Sequence, residues 1–98
     1  MFAVIRTYHG KPGTIAGVAH RFEKELLPQL SKQPGFVSYN VIEGPNDVGV
    51  VVSMFQDRAA ADAANKVAVE WARQNVAAEV GAPEVLIGEV VVSSSQKT

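Results

Sequence analysis

Four side chains in this sequence have types and spacings that could serve a ligand site. Trp71 and Asn75 stand one helical turn apart, and Asn40 lies in a stretch that alternates like a strand. An indole wall and two carboxamides describe a mostly apolar pocket with a few convergent polar groups, suited to a flat aromatic molecule. The alternative for Trp71 is a core position, where its N–H still needs an acceptor. His9 falls at the loop after the first apolar stretch, near the mouth of such a pocket, where an imidazole could act as a base near neutral pH. The alternative for His9 is an exposed loop residue. No catalytic residue can be assigned from these types alone.

Other chemistries are narrowed by what is missing. The chain has no cysteine, which removes disulfides, thiolate catalysis and Cys-ligated metal centres. Its only other histidine, His20, lies off the apolar stripe of its helix and reads as solvated. Two histidines so far apart, without acidic neighbours at ligand spacing, make a poor metal site. Arg6 sits inside an apolar strand, so its charge needs a partner if it is buried. Glu89, on what should be a neighbouring strand, is the expected partner; an anchor for an anionic ligand is the alternative.

The elements that must position these residues can be read from the periodicity. The chain has 98 residues, enough for one domain over residues 1–93, with 94–98 a disordered tail. Its net charge is −1 with both signs interspersed, which argues against nucleic acid as a partner. The longest apolar run, Val48 to Phe55, is far short of the roughly 20 residues that span a bilayer. The start, Met1-Phe2-Ala3-Val4, lacks the pattern of a signal peptide, so a cytoplasmic location without membrane contact is expected.

Phe2 to Tyr8 reads as a strand ending in the loop signal His9-Gly10-Lys11-Pro12-Gly13. Thr14 is the expected N-cap of a helix whose stripe is Ile15, Val18, Ala19, Phe22, Leu26 and Leu30. Pro28 should disturb that helix, because it removes a hydrogen bond and collides with the Lys24 carbonyl. Pro34-Gly35 should stop it. Phe36–Glu43 and Gly49–Phe55 form a hairpin about Gly44-Pro45-Asn46-Asp47. Asp57 caps an Ala-rich helix with the face Ala60, Ala64, Val67, Ala68 and Trp71, which frays near Glu79-Val80-Gly81. A last strand is expected over Glu84–Val92. The order β-α-β-β-α-β gives a ferredoxin-like α+β fold, a four-stranded antiparallel sheet with both helices on one face.

Most strands are apolar on both sides, although a one-layer cover would leave one face in water. A second copy packed sheet against sheet would bury it. The expected centre of that homodimer interface is Val37, Tyr39 and Val41.

The helix ending in Leu26-Leu27-Pro28, the segment Gln33-Pro34-Gly35-Phe36-Val37-Ser38-Tyr39, and Phe55-Gln56-Asp57 leading into the Ala-rich helix resemble the antibiotic biosynthesis monooxygenase-like group of dimeric α+β barrel proteins. The resemblance implies that fold across nearly the whole chain. It also implies a candidate activity, cofactor-free oxygenation of a small phenolic or quinonoid compound, with no metal or organic cofactor. A non-catalytic small-molecule binder and a protein-association barrel are the alternatives. Haem-degrading members carry an Asn on the first strand and a His about ten residues after a helical Trp. This chain has Ile5, Arg6 and Thr7 on that strand and no His after His20, so haem degradation is not expected.

Overall fold

In the computed structural model, which describes residues 1–95, strand β1 (Phe2–His9) turns Val4, Arg6 and Tyr8 into the core and leaves the residues between them less covered. Strand β3 (Val48–Phe55) alternates in the same way, burying Gly49, Val51, Ser53 and Phe55. These two strands form the middle of a four-stranded sheet. Strand β2 (Phe36–Glu43) flanks β3, and β4 (Glu84–Glu89) flanks β1, giving the order β2-β3-β1-β4 with every neighbouring pair antiparallel. The arrangement is the expected ferredoxin-like one.

One face of the sheet is covered by two helical layers. The first runs through α1 (Ile15–Arg21), a π-helical turn (Phe22–Leu26) and α2 (Leu27–Leu30). The second is α3 (Arg58–Asn75), followed by the single turn α4 (Ala77–Val80). Helix α3 buries Ala61, Ala64, Ala68 and Ala72, a stripe of methyl groups that lets its backbone approach the sheet closely. Phe22, Leu26 and Leu30 fill the core beside Val51 and Phe55.

The interruptions have local causes. Pro28 cannot donate to the preceding turn, and the chain accommodates it by widening that turn. The Leu27 N–H bonds to the Phe22 carbonyl, five residues back, and a fresh α-turn starts with Pro28 near its N-terminus. Gly35 ends the segment at φ 82°, and a Cβ there would lie 2.9 Å from the Ala60 Cβ. Only glycine suits both the left-handed backbone and the close approach. In the β2–β3 turn it is Asn46 and Asp47 that take positive φ, at 60° and 58°. Asp57 caps α3, its side chain accepting from the Ala60 N–H at 2.8 Å.

Three expectations are corrected. Thr14 precedes α1 but does not cap it; its hydroxyl donates to the Lys11 carbonyl at 2.7 Å. Strand β4 stops at Glu89 instead of Val92, because Glu89 already lies opposite Phe2, where β1 begins. The third correction concerns β2. The register slips between Phe36 and Ser38, so Val37 occupies a bulge. Phe36 and, beyond the bulge, Tyr39 and Val41 all pack against the helix-covered core. Tyr39 and Val41 therefore do not stand at the centre of the helix-free face, and strict alternation through the bulge is what misplaced them. Of the tail, residues 94 and 95 have no regular secondary structure, and 96–98 lie outside the described residues.

Candidate functional site

The covered face of the sheet contains a charge where apolar packing would be expected. Across the strands from β2 to β4, Val41, Val51, Arg6 and Val85 make one row. The next row is Tyr39, Ser53, Val4 and Ile87. Gly49 faces Tyr8, and Ser53 faces Tyr39, so β3 supplies little bulk beside three long polar side chains. Arg6 is 1% exposed. Its Nη1 donates to Asn65 Oδ1 of α3 at a long 3.4 Å, while Nε and Nη2 have no partner.

The expected pair with Glu89 does not form. Glu89 lies opposite Phe2, two positions along β1 from the row beside Arg6's, and is exposed. Among the described residues no carboxylate makes an ion pair with Arg6. The Tyr8 and Tyr39 hydroxyls are also enclosed; both lie close enough to Arg6 to interact with it, yet neither reaches full hydrogen-bond geometry. Burial pushes the Tyr8 phenol above its ordinary range and carries Tyr39 up to about 12, although the charge of Arg6 pulls both the other way. Both phenols therefore stay neutral at physiological pH. The cluster holds many donors and few acceptors, and its one full charge is uncompensated.

Tyr39 links this cluster to the outside. Its ring forms part of a cleft of about 460 Å³ between the first helical layer and β2, lined also by Ala16, Ala19, Leu27 and Val41. His20, Glu23 and Glu43 complete the lining, and all three are exposed. A second, much smaller void of about 10 Å³ touches Tyr8 and shares Ala19 and Val41 with the cleft. The arrangement can accept a flat, largely apolar body whose inner end meets Tyr39.

The four residues singled out in the sequence are not brought together. Trp71 is half-buried between the helical layers, where Phe22 meets it edge-on at 5.6 Å and the Arg21 guanidinium lies 5.5 Å from its ring centre. Asn75 belongs to the same bracket. Its side chain donates to the Trp71 carbonyl at 2.9 Å, and it accepts from Arg21 through its backbone and side-chain oxygens at 2.9 and 3.1 Å. Arg21 also grips Glu25 at 2.7 Å and holds that carboxyl below the usual carboxylate range. Asn40 projects from the helix-free face opposite Val52. His9 ends β1 on that face, 2.9 Å from Glu84. Neither Trp71 nor Asn75 lines the cleft beside Tyr39.

The polar cluster has a signal in the sequence. Arg6 and Tyr8 are two apart on one strand, hence on one face, and Asn65 stands four residues after Ala61, on the Ala stripe's flank. Among the described residues no group of three or more His, Asp or Glu is placed to hold a metal ion, and no helix is long and apolar enough to cross a membrane.

Comparison with solved structures places the fold among known ones. A protein of unknown function from Nitrosomonas europaea, NE2512, superposes with a TM-score of 0.78 at 20% identity, over 99% of this chain and 95% of that one. Rv0793 from Mycobacterium tuberculosis gives 0.75 at 17% identity, over 96% and 98%. A mutant of MhuD with two manganese protoporphyrin IX molecules bound per active site gives 0.77 at 18%, over 98% and 100%. No functionally curated protein matches the chain. The family model described as antibiotic biosynthesis monooxygenase matches residues 1–68, which carry the first three strands, the whole first helical layer, Arg6, Tyr8, Tyr39 and Asn65. The chain belongs to the antibiotic biosynthesis monooxygenase family.

Proposed function

We propose that the protein is a homodimer that binds a small aromatic compound, phenolic or quinonoid, in the cleft between the first helical layer and β2. The observation that carries this reading is the cleft itself: apolar Ala16, Ala19, Leu27 and Val41 around a tyrosine whose hydroxyl has no partner. A pocket of mainly apolar lining with a few placed polar groups favours a flat, weakly polar ligand. The reaction this site would support is oxygenation without a cofactor, in which the substrate, as an electron-rich anion, reduces oxygen directly. The protein's part would be to stabilise that anion, and Arg6 with the Tyr8 and Tyr39 hydroxyls supplies buried donors of the right kind.

Haem chemistry is not what this arrangement favours. Trp71 is packed between Phe22 and Arg21, and the cleft's one imidazole, His20, is exposed, as are Glu23 and Glu43, which line the same cleft.

Two measurements test the reading. A panel of flat phenols and quinols should bind, and Leu27→Trp, which fills the cleft, should weaken binding throughout the panel. Oxygen uptake with the compounds that bind then separates a catalyst from a binder. If nothing in the panel binds, the cleft is not a ligand site.

A further inference from the structure

The position of the unpartnered nitrogens on Arg6 narrows the ligand class. Nη1 is directed to Asn65, while Nε and Nη2 are enclosed and free. Those two N–H groups lie along one edge of the guanidinium plane, the edge that receives both oxygens of a carboxylate side-on. A phenol or carbonyl oxygen could occupy only one of them well. We propose that the aromatic ligand of this cleft also carries a carboxylate, which seats on the Nε–Nη2 edge of Arg6 with the Tyr8 and Tyr39 hydroxyls donating beside it. This rests on the cleft being the ligand site.

Three further features support the assignment. First, the cluster lacks a negative charge, and a carboxylate supplies one together with two strong acceptors. A bound water would satisfy an N–H but leave the charge uncompensated. Second, neither phenol can act as the counter-ion, since burial keeps both protonated. Third, the polarity along the cleft is ordered. Glu23 and Glu43 line the cleft and are exposed, whereas Tyr39, which also lines it, borders the buried Arg6, so an acid is favoured with its carboxylate toward Tyr39 and its neutral or cationic end toward solvent.

Tyr39 is common to the cleft and the cluster, and Arg6 is closed to solvent behind it. Entry of a carboxylate therefore requires the Tyr39 ring to rotate. Tyr39 is thus a positioning and gating residue for this site.

The test compares trans-cinnamate with trans-cinnamamide, which match in shape and differ in charge, by calorimetry at neutral pH. The wild type should bind the acid roughly tenfold or more tighter than the amide. Arg6→Met should erase that preference while the amide still binds. Arg6→Lys, which keeps the charge and loses the fork, should retain only part of it and stands in should Arg6→Met not fold. Equal affinity of acid and amide for the wild type overturns the proposal while leaving the cleft as a site for neutral ligands. Full retention of the preference in Arg6→Lys overturns the side-on seat. Failure of both probes to bind, with the phenols and quinols still binding, overturns the carboxylate alone; failure of every compound removes the cleft reading with it.

Discussion

A buried arginine without a counter-ion is a liability unless something else uses it. Desolvating a guanidinium costs several kcal/mol, and a single long bond to Asn65 offsets little of that. Arg6→Met keeps most of the bulk and removes the charge, so it should stabilise the ligand-free protein by about 1–3 kcal/mol, read as a rise in the urea midpoint. A fall would mean that the guanidinium is satisfied without ligand. Tyr39 gives a second observable. Its folded pKa, about 12, lies above its ordinary 10.0 because burial disfavours the phenolate. The unfolded chain therefore releases this proton first as pH rises. The stability tied to the neutral phenol is complete below pH 10, declines at a slope approaching about 1.4 kcal/mol per pH unit, and is gone above about pH 12. Tyr8 shifts in the same direction, so Tyr39→Phe should flatten this alkaline decline without abolishing it. An unchanged slope in Tyr39→Phe would place the phenol in water.

At the scale of elements, glycine substitutions separate backbone strain from close packing. Gly35 and Gly81 both have positive φ, at 82° and 63°, but only Gly35 has a neighbour, the Ala60 Cβ, within reach of an added methyl group. Gly81 combines its positive φ with ψ −160°, an extended region nearly reserved for glycine, so Gly81→Ala should cost about 1–3 kcal/mol from backbone strain alone, and Gly35→Ala about 2–4 kcal/mol with the clash added. Equal costs would mean that α3 yields freely at Ala60. The contrast also bears on what could be read from sequence. Pro34-Gly35 and Pro28 announced a stop and a disturbance because their chemistry is local: a fixed φ, a missing N–H, a tolerated left-handed turn. The bulge at Val37 has no such mark. It depends on Phe36 and Tyr39 both finding space under the helices, which is a property of the packed molecule. That one residue moved Tyr39 from an expected interface to the cleft. Trp71 misled for a related reason. Its spacing fits the Ala stripe, but the contacts that fix it are Phe22 and Arg21, which belong to the other helical layer.

The whole molecule has one covered and one open sheet face, and the open one is not built for water. Ile5, Val50, Val52 and Met54 stand on it, along with Ile42 and Leu86, which are 50% and 63% exposed. Ile5 pairs with Val52 and Thr7 with Val50 at the middle of the sheet, so the apolar surface is continuous there. Burying such a face against a second copy would remove on the order of 1,200–2,000 Å² from water, the size of a stable interface. The predicted homodimer thus survives the correction of β2, with its centre moved from Tyr39 and Val41 to Ile5, Val50 and Val52. The prediction is specific to that row. Val52→Lys places a charge at the centre of the face and should convert the protein to a folded monomer, seen by sedimentation at micromolar concentration with an unchanged far-UV spectrum. Val51→Lys lies beneath the helices and should instead cost stability, because its ammonium would enter the core beside Arg6 without a partner. A wild type that sediments as a monomer would falsify the face-to-face assembly, and a Val52→Lys protein that remains dimeric would move the interface to another surface of the same fold.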